Sequence, residues 1–152
     1  MLSLKIKKLH PNAVIPKFAT EGSAGMDLTA VDCSVELCCR SHRILDLGLT
    51  KLTYRTGLAF EIPVGHVGLI FPRSSIHKTS MSLSNCVGVI DSDYRGEVSF
   101  VFRKRDSEEP DYQIGDRVGQ LVIMKLPEIE VVEVDELSDT VRGTGGFGST
   151  GK

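Results

Sequence analysis

Hydrophobic positions along this chain recur at every second residue, in short runs. Leu2, Leu4 and Ile6 alternate with Ser3, Lys5 and Lys7; Leu58, Phe60 and Ile62 alternate around Ala59 and Glu61; Val98, Phe100 and Phe102 alternate with Ser99, Val101 and Arg103. Val67 to Phe71 is a short apolar run, and Val118 to Val122 continues through Ile123 to Leu126. A period of two places successive side chains on opposite faces of a strand. Gly, Pro, Asp or Ser bounds each run, as turns require. Glu128 to Asp135 also alternates but changes phase at Val131/Val132, which predicts a strand with a bulge. No long amphipathic helix is visible; one helical turn is expected over 74–80, after Pro72-Arg73. Many short strands with regular turns predict an all-β sandwich or barrel, not a βαβ protein.

Bulk properties narrow the picture by exclusion. A chain of 152 residues suggests one domain with a real core. Apolar content of 41%, charged content of 25% and a net charge of −2 are ordinary for a globular protein, and give no case for a nucleic-acid or membrane surface. The N-terminal residues alternate instead of forming a signal-peptide core, so a cytoplasmic location is expected, or a nuclear or host-cell one for a eukaryotic or viral source. Cys33, Cys38, Cys39 and Cys86 fit no zinc template and are expected to be reduced; His10, His42, His66 and His77 offer no metal-site spacing. The sequence assigns Cys38, Cys39 and His42 no role beyond structure.

The stretch from Arg142 to Lys152 has a different character. Five glycines surround Phe147, with Arg142 at one end and Ser149 and Thr150 near the other. It cannot build a core, and glycine has the most conformational freedom to lose. It offers backbone N–H groups and a guanidinium for anionic oxygens, and a ring for stacking. A domain over 1–137 with an arm over 138–152 that closes on a nucleotide is therefore expected; a plain Gly/Ser tail is the alternative.

Four internal segments carry candidate chemistry. In Asn85 to Glu97, Asp91-Ser-Asp93 lies between an apolar run and the strand from Val98, which suggests a hairpin. Its carboxylate can accept a proton from water, Asn85 can read a base edge, and Tyr94 can lie against a sugar. An acidic β-turn would look the same. Arg73, Ser74 and Ser75 follow an apolar strand and suit a phosphate, or equally a surface ion pair. Asp27 follows a small-residue turn at the start of a strand. Gln120, among strand apolars, needs a partner if buried.

These segments, in this order, resemble the five motifs of the trimeric dUTPase family: Ala24 to Ala30, Pro72 to Ser75, Asn85 to Gly96, Gly115 to Leu121 and Arg142 to Thr150. Met26 stands where the family commonly has Tyr or Phe, and Gly119 where Ala is usual. The resemblance implies a distorted β-barrel or jelly-roll-like fold, and hydrolysis of dUTP to dUMP and pyrophosphate by water attack on the α-phosphorus. That reaction keeps uracil out of DNA and supplies dUMP for thymidylate synthesis. The resemblance assigns Asp91 as general base, with Gln120 positioning water. It assigns Asn85, Gly88, Ile90 and Tyr94 to uracil and deoxyribose, and Arg73, Ser74 and Ser75 to phosphates. Arg142, Phe147, Gly148, Ser149 and Thr150 become the closing arm, with Phe147 stacked on uracil. Mg²⁺ is implied as the cofactor, held mainly by substrate phosphates and touched by Asp27 through water. A homotrimer with sites between subunits is implied as well. The alternatives are a dUTP-binding regulatory protein and a dCTP deaminase; the deaminase would want a Glu base and a further Arg beside Arg73-Ser-Ser75, where this chain has Ile76-His-Lys.

Overall fold

The computed structural model describes residues 2–37, 50–104 and 112–149. Cys38, Cys39, His42 and Thr150 lie outside them. Among the described residues the regular structure is almost wholly strand: β1 Lys5–Lys8, β2 Met26–Thr29, β3 Asp32–Leu37, β4 Thr50–Arg55, β5 Leu58–Glu61, β6 His66–Phe71, β7 Met81–Leu83, β8 Gly88–Ile90, β9 Ser99–Lys104 and β10 Arg117–Lys125. One 3₁₀ turn, Ser74–Lys78, follows β6 and is shorter than the turn expected over 74–80. Thr79 ends it, its hydroxyl donating to the Ile76 carbonyl at 2.8 Å.

All pairings are antiparallel. Two four-stranded sheets, ordered β2-β10-β6-β8 and β3-β4-β9-β7, share the core, and β1-β5 forms a small third sheet. None closes on itself, so the architecture is a distorted, jelly-roll-like sandwich, with the barrel left open. The core is filled where the period-two pattern placed it. Leu58, Phe60 and Ile62 from the β5 segment, Phe100 and Phe102 from β9, and Val118 and Leu121 from β10 are buried. Tyr54 stands edge-on to Phe102 at 5.9 Å, a geometry aromatic pairs favour.

Thr56 is a fully buried polar residue between β4 and β5. Its hydroxyl donates to the Val98 carbonyl at 2.6 Å and accepts from the Leu58 N–H at 3.3 Å, tying β5 to the approach of β9. Thr56→Val keeps the shape and strands both partners, so unfolding free energy should fall by about 1–3 kcal/mol in a urea titration.

Three expectations are corrected. The N-terminal alternation produces a strand only from Lys5; Leu2 is half exposed and outside it. Glu128–Asp135 is not a strand: Ile129, Val131, Val132 and Val134 are exposed, because no strand lies beside them to take their backbone hydrogen bonds. Among the described residues, the last backbone bond joining this end of the chain to the rest of the fold is Leu126 N–H to the Gly65 carbonyl, 2.8 Å. The segment around Asp91 is not a hairpin, since β8 pairs with β6 while β9 pairs with β4 and β7 in the other sheet. Asp91–Val98 instead crosses from one sheet to the other.

β10 carries one irregularity. Arg117 pairs with Thr29, but Gly119 pairs with Leu28, Gln120 with Asp27 and Leu121 with Met26. One extra residue thus sits in β10 opposite β2, a β-bulge at Val118 and Gly119.

Candidate active site

The sheet-crossing segment encloses a cleft of about 330 Å³, lined by Asn85, Gly88, Ile90, Asp91, Tyr94 and Glu97 among others. The local sequence explains its shape. The Tyr94 N–H donates to the Asp91 carbonyl at 3.2 Å, closing a β-turn over Asp91-Ser-Asp-Tyr. Arg95 clamps that turn from outside, donating to the Ser92 carbonyl at 2.7 Å and the Tyr94 carbonyl at 3.0 Å. The Tyr94 hydroxyl donates to the Glu97 carbonyl at 3.1 Å. Gly96 lies directly under the Tyr94 ring, where any Cβ would collide with it. At Gly88 a Cβ would collide with Ile70, so glycine lets β8 come close to β6 beside the Asn85 amide.

Two carboxylates face this cleft, and their surroundings divide the roles. Glu97 is committed to structure: it accepts from the Gly57 N–H at 2.7 Å and pairs with Arg55 at 3.4 Å. The Asp91 carboxylate is exposed and has no hydrogen-bond partner among the described residues, so it is free to meet a water.

A second polar cluster lies on the same sheet. The Asp27 side chain, 12% exposed, accepts from three donors. Arg73 Nε lies 3.2 Å and Gln120 Nε2 3.3 Å from Oδ1, while an Arg117 Nη lies 3.1 Å from Oδ2. Asp27, Arg73 and Gln120, expected from separate segments, therefore converge. Arg117 is a member that sequence reasoning missed. Ser74 and Ser75 open the 3₁₀ turn immediately after Arg73.

The two clusters are not adjacent. Gln120 pairs with Phe71 and Ile90 with Gly68, which puts Asp91 level with Val67. Four residues along β6 and two strand spacings separate Asp91 from Gln120, about 16 Å between backbones at ordinary strand dimensions. Nor do the described residues of the C-terminal arm reach either place: Phe147 is fully exposed, and Arg142 Nε folds back on the Gly145 carbonyl at 2.9 Å. Gly143 and Gly148 hold positive φ angles of 50° and 77°, which explains two of the arm's glycines.

Asp91, Asn85 and Tyr94 thus share one cleft, and Asp27, Arg73 and Gln120 meet in a second cluster on the same sheet. A family model described as dUTPase matches residues 11–151. The chain belongs to the dUTPase family. Curated relatives named deoxyuridine 5'-triphosphate nucleotidohydrolase agree over nearly the whole chain. The Nautilia profundicola protein is 42% identical, covering 99% of this chain and 100% of its own. A Helicobacter pylori protein (strain P12) is 38% identical, covering 99% and 97%. Among solved structures, the dUTPase of Staphylococcus bacteriophage 80alpha with dUpNHpp is 26% identical, with a TM-score of 0.78 and full coverage of both chains. The chain's activity is the hydrolysis of dUTP, a reaction whose products are dUMP and pyrophosphate. The only helical segment among the described residues is one 3₁₀ turn, and none is long and apolar enough to cross a membrane.

On the expected placing of Tyr94 against the deoxyribose, the Gly96–Tyr94 contact predicts a selectivity effect. Gly96→Val should push the ring off its shelf. Discrimination of dUTP over UTP, measured as a ratio of kcat/KM values, should fall about tenfold or more.

Proposed function

We propose that Asp91 is the general base that draws a proton from water as it attacks the α-phosphorus of dUTP. Pyrophosphate then leaves with the electrons of the broken P–O bond. Asn85 and the backbone of Gly88 to Ile90 read the uracil edge, in an apolar setting too narrow for a 5-methyl group; the close fit of Gly88 against Ile70 supports this reading. Tyr94 lies under the deoxyribose and crowds out a 2′-hydroxyl. Arg73, Ser74 and Ser75 hold phosphates, with Gln120 beside the attacking water. On closure, Phe147 stacks on uracil while Arg142, Ser149 and Thr150 hold the γ-phosphate, with Gly148 also against the substrate. The single observation that carries this assignment is the free Asp91 carboxylate in a nucleotide-scale cleft beside Asn85 and Tyr94.

The separation of Asp91 from Gln120 supports assembly of the site from more than one copy of the chain. A base on one copy and a water-positioning amide on another would meet across an interface, as in a homotrimer. The exposed apolar residues Ile129, Val131, Val132, Val134 and Leu137 suit burial in such an assembly.

The residues present also fit magnesium carried by the substrate. No group of three or more His, Cys, Asp or Glu residues among those described could hold a metal, and Asp27 already accepts from three donors. That leaves Asp27 able to touch the ion only through water, with the triphosphate supplying most ligands. Bound there, the ion would offset phosphate charge.

The test is pyrophosphate release from dUTP with magnesium, beside dCTP, dTTP and UTP. Rapid turnover of dUTP alone is expected. Ammonia release from dCTP, or tight dUTP binding without turnover, would contradict the assignment.

A further inference from the structure

We propose that Arg117 is a positioning residue for the triphosphate half of the site, and that the bulge at Val118–Gly119 is the device that aims it. The proposal rests on the dUTP-hydrolysing assignment above. In a regular strand, residues three apart point to opposite faces. Arg117 and Gln120 are three apart, yet both side chains reach Asp27. The extra residue in β10 explains this: Gln120 pairs with Asp27 and Arg117 with Thr29, and residues 27 and 29 of β2 share a face. Gly119 suits the spot, because its position lies against the fully buried ring of Phe100, where a Cβ would collide.

The consequence for the site is chemical. A carboxylate and a guanidinium prefer a two-pronged pair. Were Oδ2 of Asp27 vacant, Arg73 could turn its fork onto both oxygens and withdraw it from the phosphates. Arg117 occupies Oδ2, so Arg73 is held through Nε on Oδ1 alone, and its Nη nitrogens remain available to phosphate oxygens. The same carboxylate orients Gln120. A carboxylate oxygen only accepts, so the amide nitrogen must face Oδ1, which turns Oε1 away to accept from a water. Arg117 thus acts through Asp27 on both the phosphate fork and the water-facing amide. Its own side chain is half exposed, so substituting it leaves the core intact.

The test uses the full-length Arg117→Gln and Arg117→Lys variants with magnesium. For Arg117→Gln, kcat/KM for dUTP and affinity for dUpNHpp should each fall about tenfold or more, the scale of a charged hydrogen bond. Affinity for dUMP, which lacks the outer phosphates, should stay within about twofold, and Arg117→Lys should recover part of the loss, since it restores charge without the fork. Equal weakening of dUMP and dUpNHpp, or wild-type turnover by Arg117→Gln, would overturn the positioning role. Failure of the wild-type chain to hydrolyse dUTP is a separate outcome and would remove the broader assignment instead.

Discussion

Asp91→Asn should bind dUTP and scarcely turn it over, with kcat reduced by about 10²–10⁴, the usual contribution of a general base. That range corresponds to roughly 3–5 kcal/mol of lost transition-state stabilisation. The substitution is close to isosteric and removes only the ability to accept a proton. The Asp91 side chain has no partner among the described residues to lose, and the turn it opens is closed by backbone, from Tyr94 N–H to the Asp91 carbonyl. Thermal stability should therefore be unchanged, and so should affinity for dUpNHpp. Rapid-quench measurements should show no burst of product. The neighbouring carboxylate gives the control. Glu97→Gln should weaken the fold, because Glu97 anchors Gly57 and Arg55, and should retain a far larger share of the chemistry per folded molecule.

Removal of residues 139–152 should abolish turnover and leave the sheets folded. Among the described residues, backbone hydrogen bonds from this end of the chain to the rest of the fold stop at Leu126, and none of residues 139–149 belongs to the buried core. What is lost is the proposed closed state. Stacking on a base contributes about 1–3 kcal/mol, and a guanidinium on phosphate about 1.5–3 kcal/mol. Together these come to about 2.5–6 kcal/mol, roughly 10²- to 10⁴-fold in rate if they act at the transition state. Phe147→Ala should reproduce the stacking share alone, lowering kcat/KM about tenfold or more. Circular dichroism of the truncated chain should match that of the intact one. Full activity in the truncated form would remove the arm from the mechanism.

The strands that pack two faces of core were legible because their apolar positions are set by burial: Phe100 and Phe102, or Leu58 and Phe60, have no other place to go. β4 was legible in principle, since Leu52 and Tyr54 alternate with Lys51 and Thr53 and are buried. Glu128–Asp135 shows the limit of periodicity. Alternation states that one face wants burial and does not say against which chain, and within one chain these residues find no partner strand. The site divided in the same way. Asp91, Asn85 and Tyr94 sit in one continuous segment and could be read together. Arg117 could not, because its position three before Gln120 predicts the opposite face. A bulge reverses that parity, and no composition signal distinguishes Val118-Gly119 as one. The turn around Asp91 was recognised by its Asp and Ser residues, but turn chemistry does not say which sheet receives the next strand.

The central claim is that Asp91 of one copy and Gln120 of another act on the same water. Asp91→Asn and Gln120→Ala chains, each inactive alone, can be unfolded together and reassembled. If every site takes one residue from each of two neighbouring copies in a symmetric trimer, random mixing leaves about one quarter of sites with both residues intact. Recovery of about a quarter of wild-type dUTP turnover is the predicted result. No recovery in a mixture shown to have exchanged subunits would place both residues on a single chain's site and contradict the account.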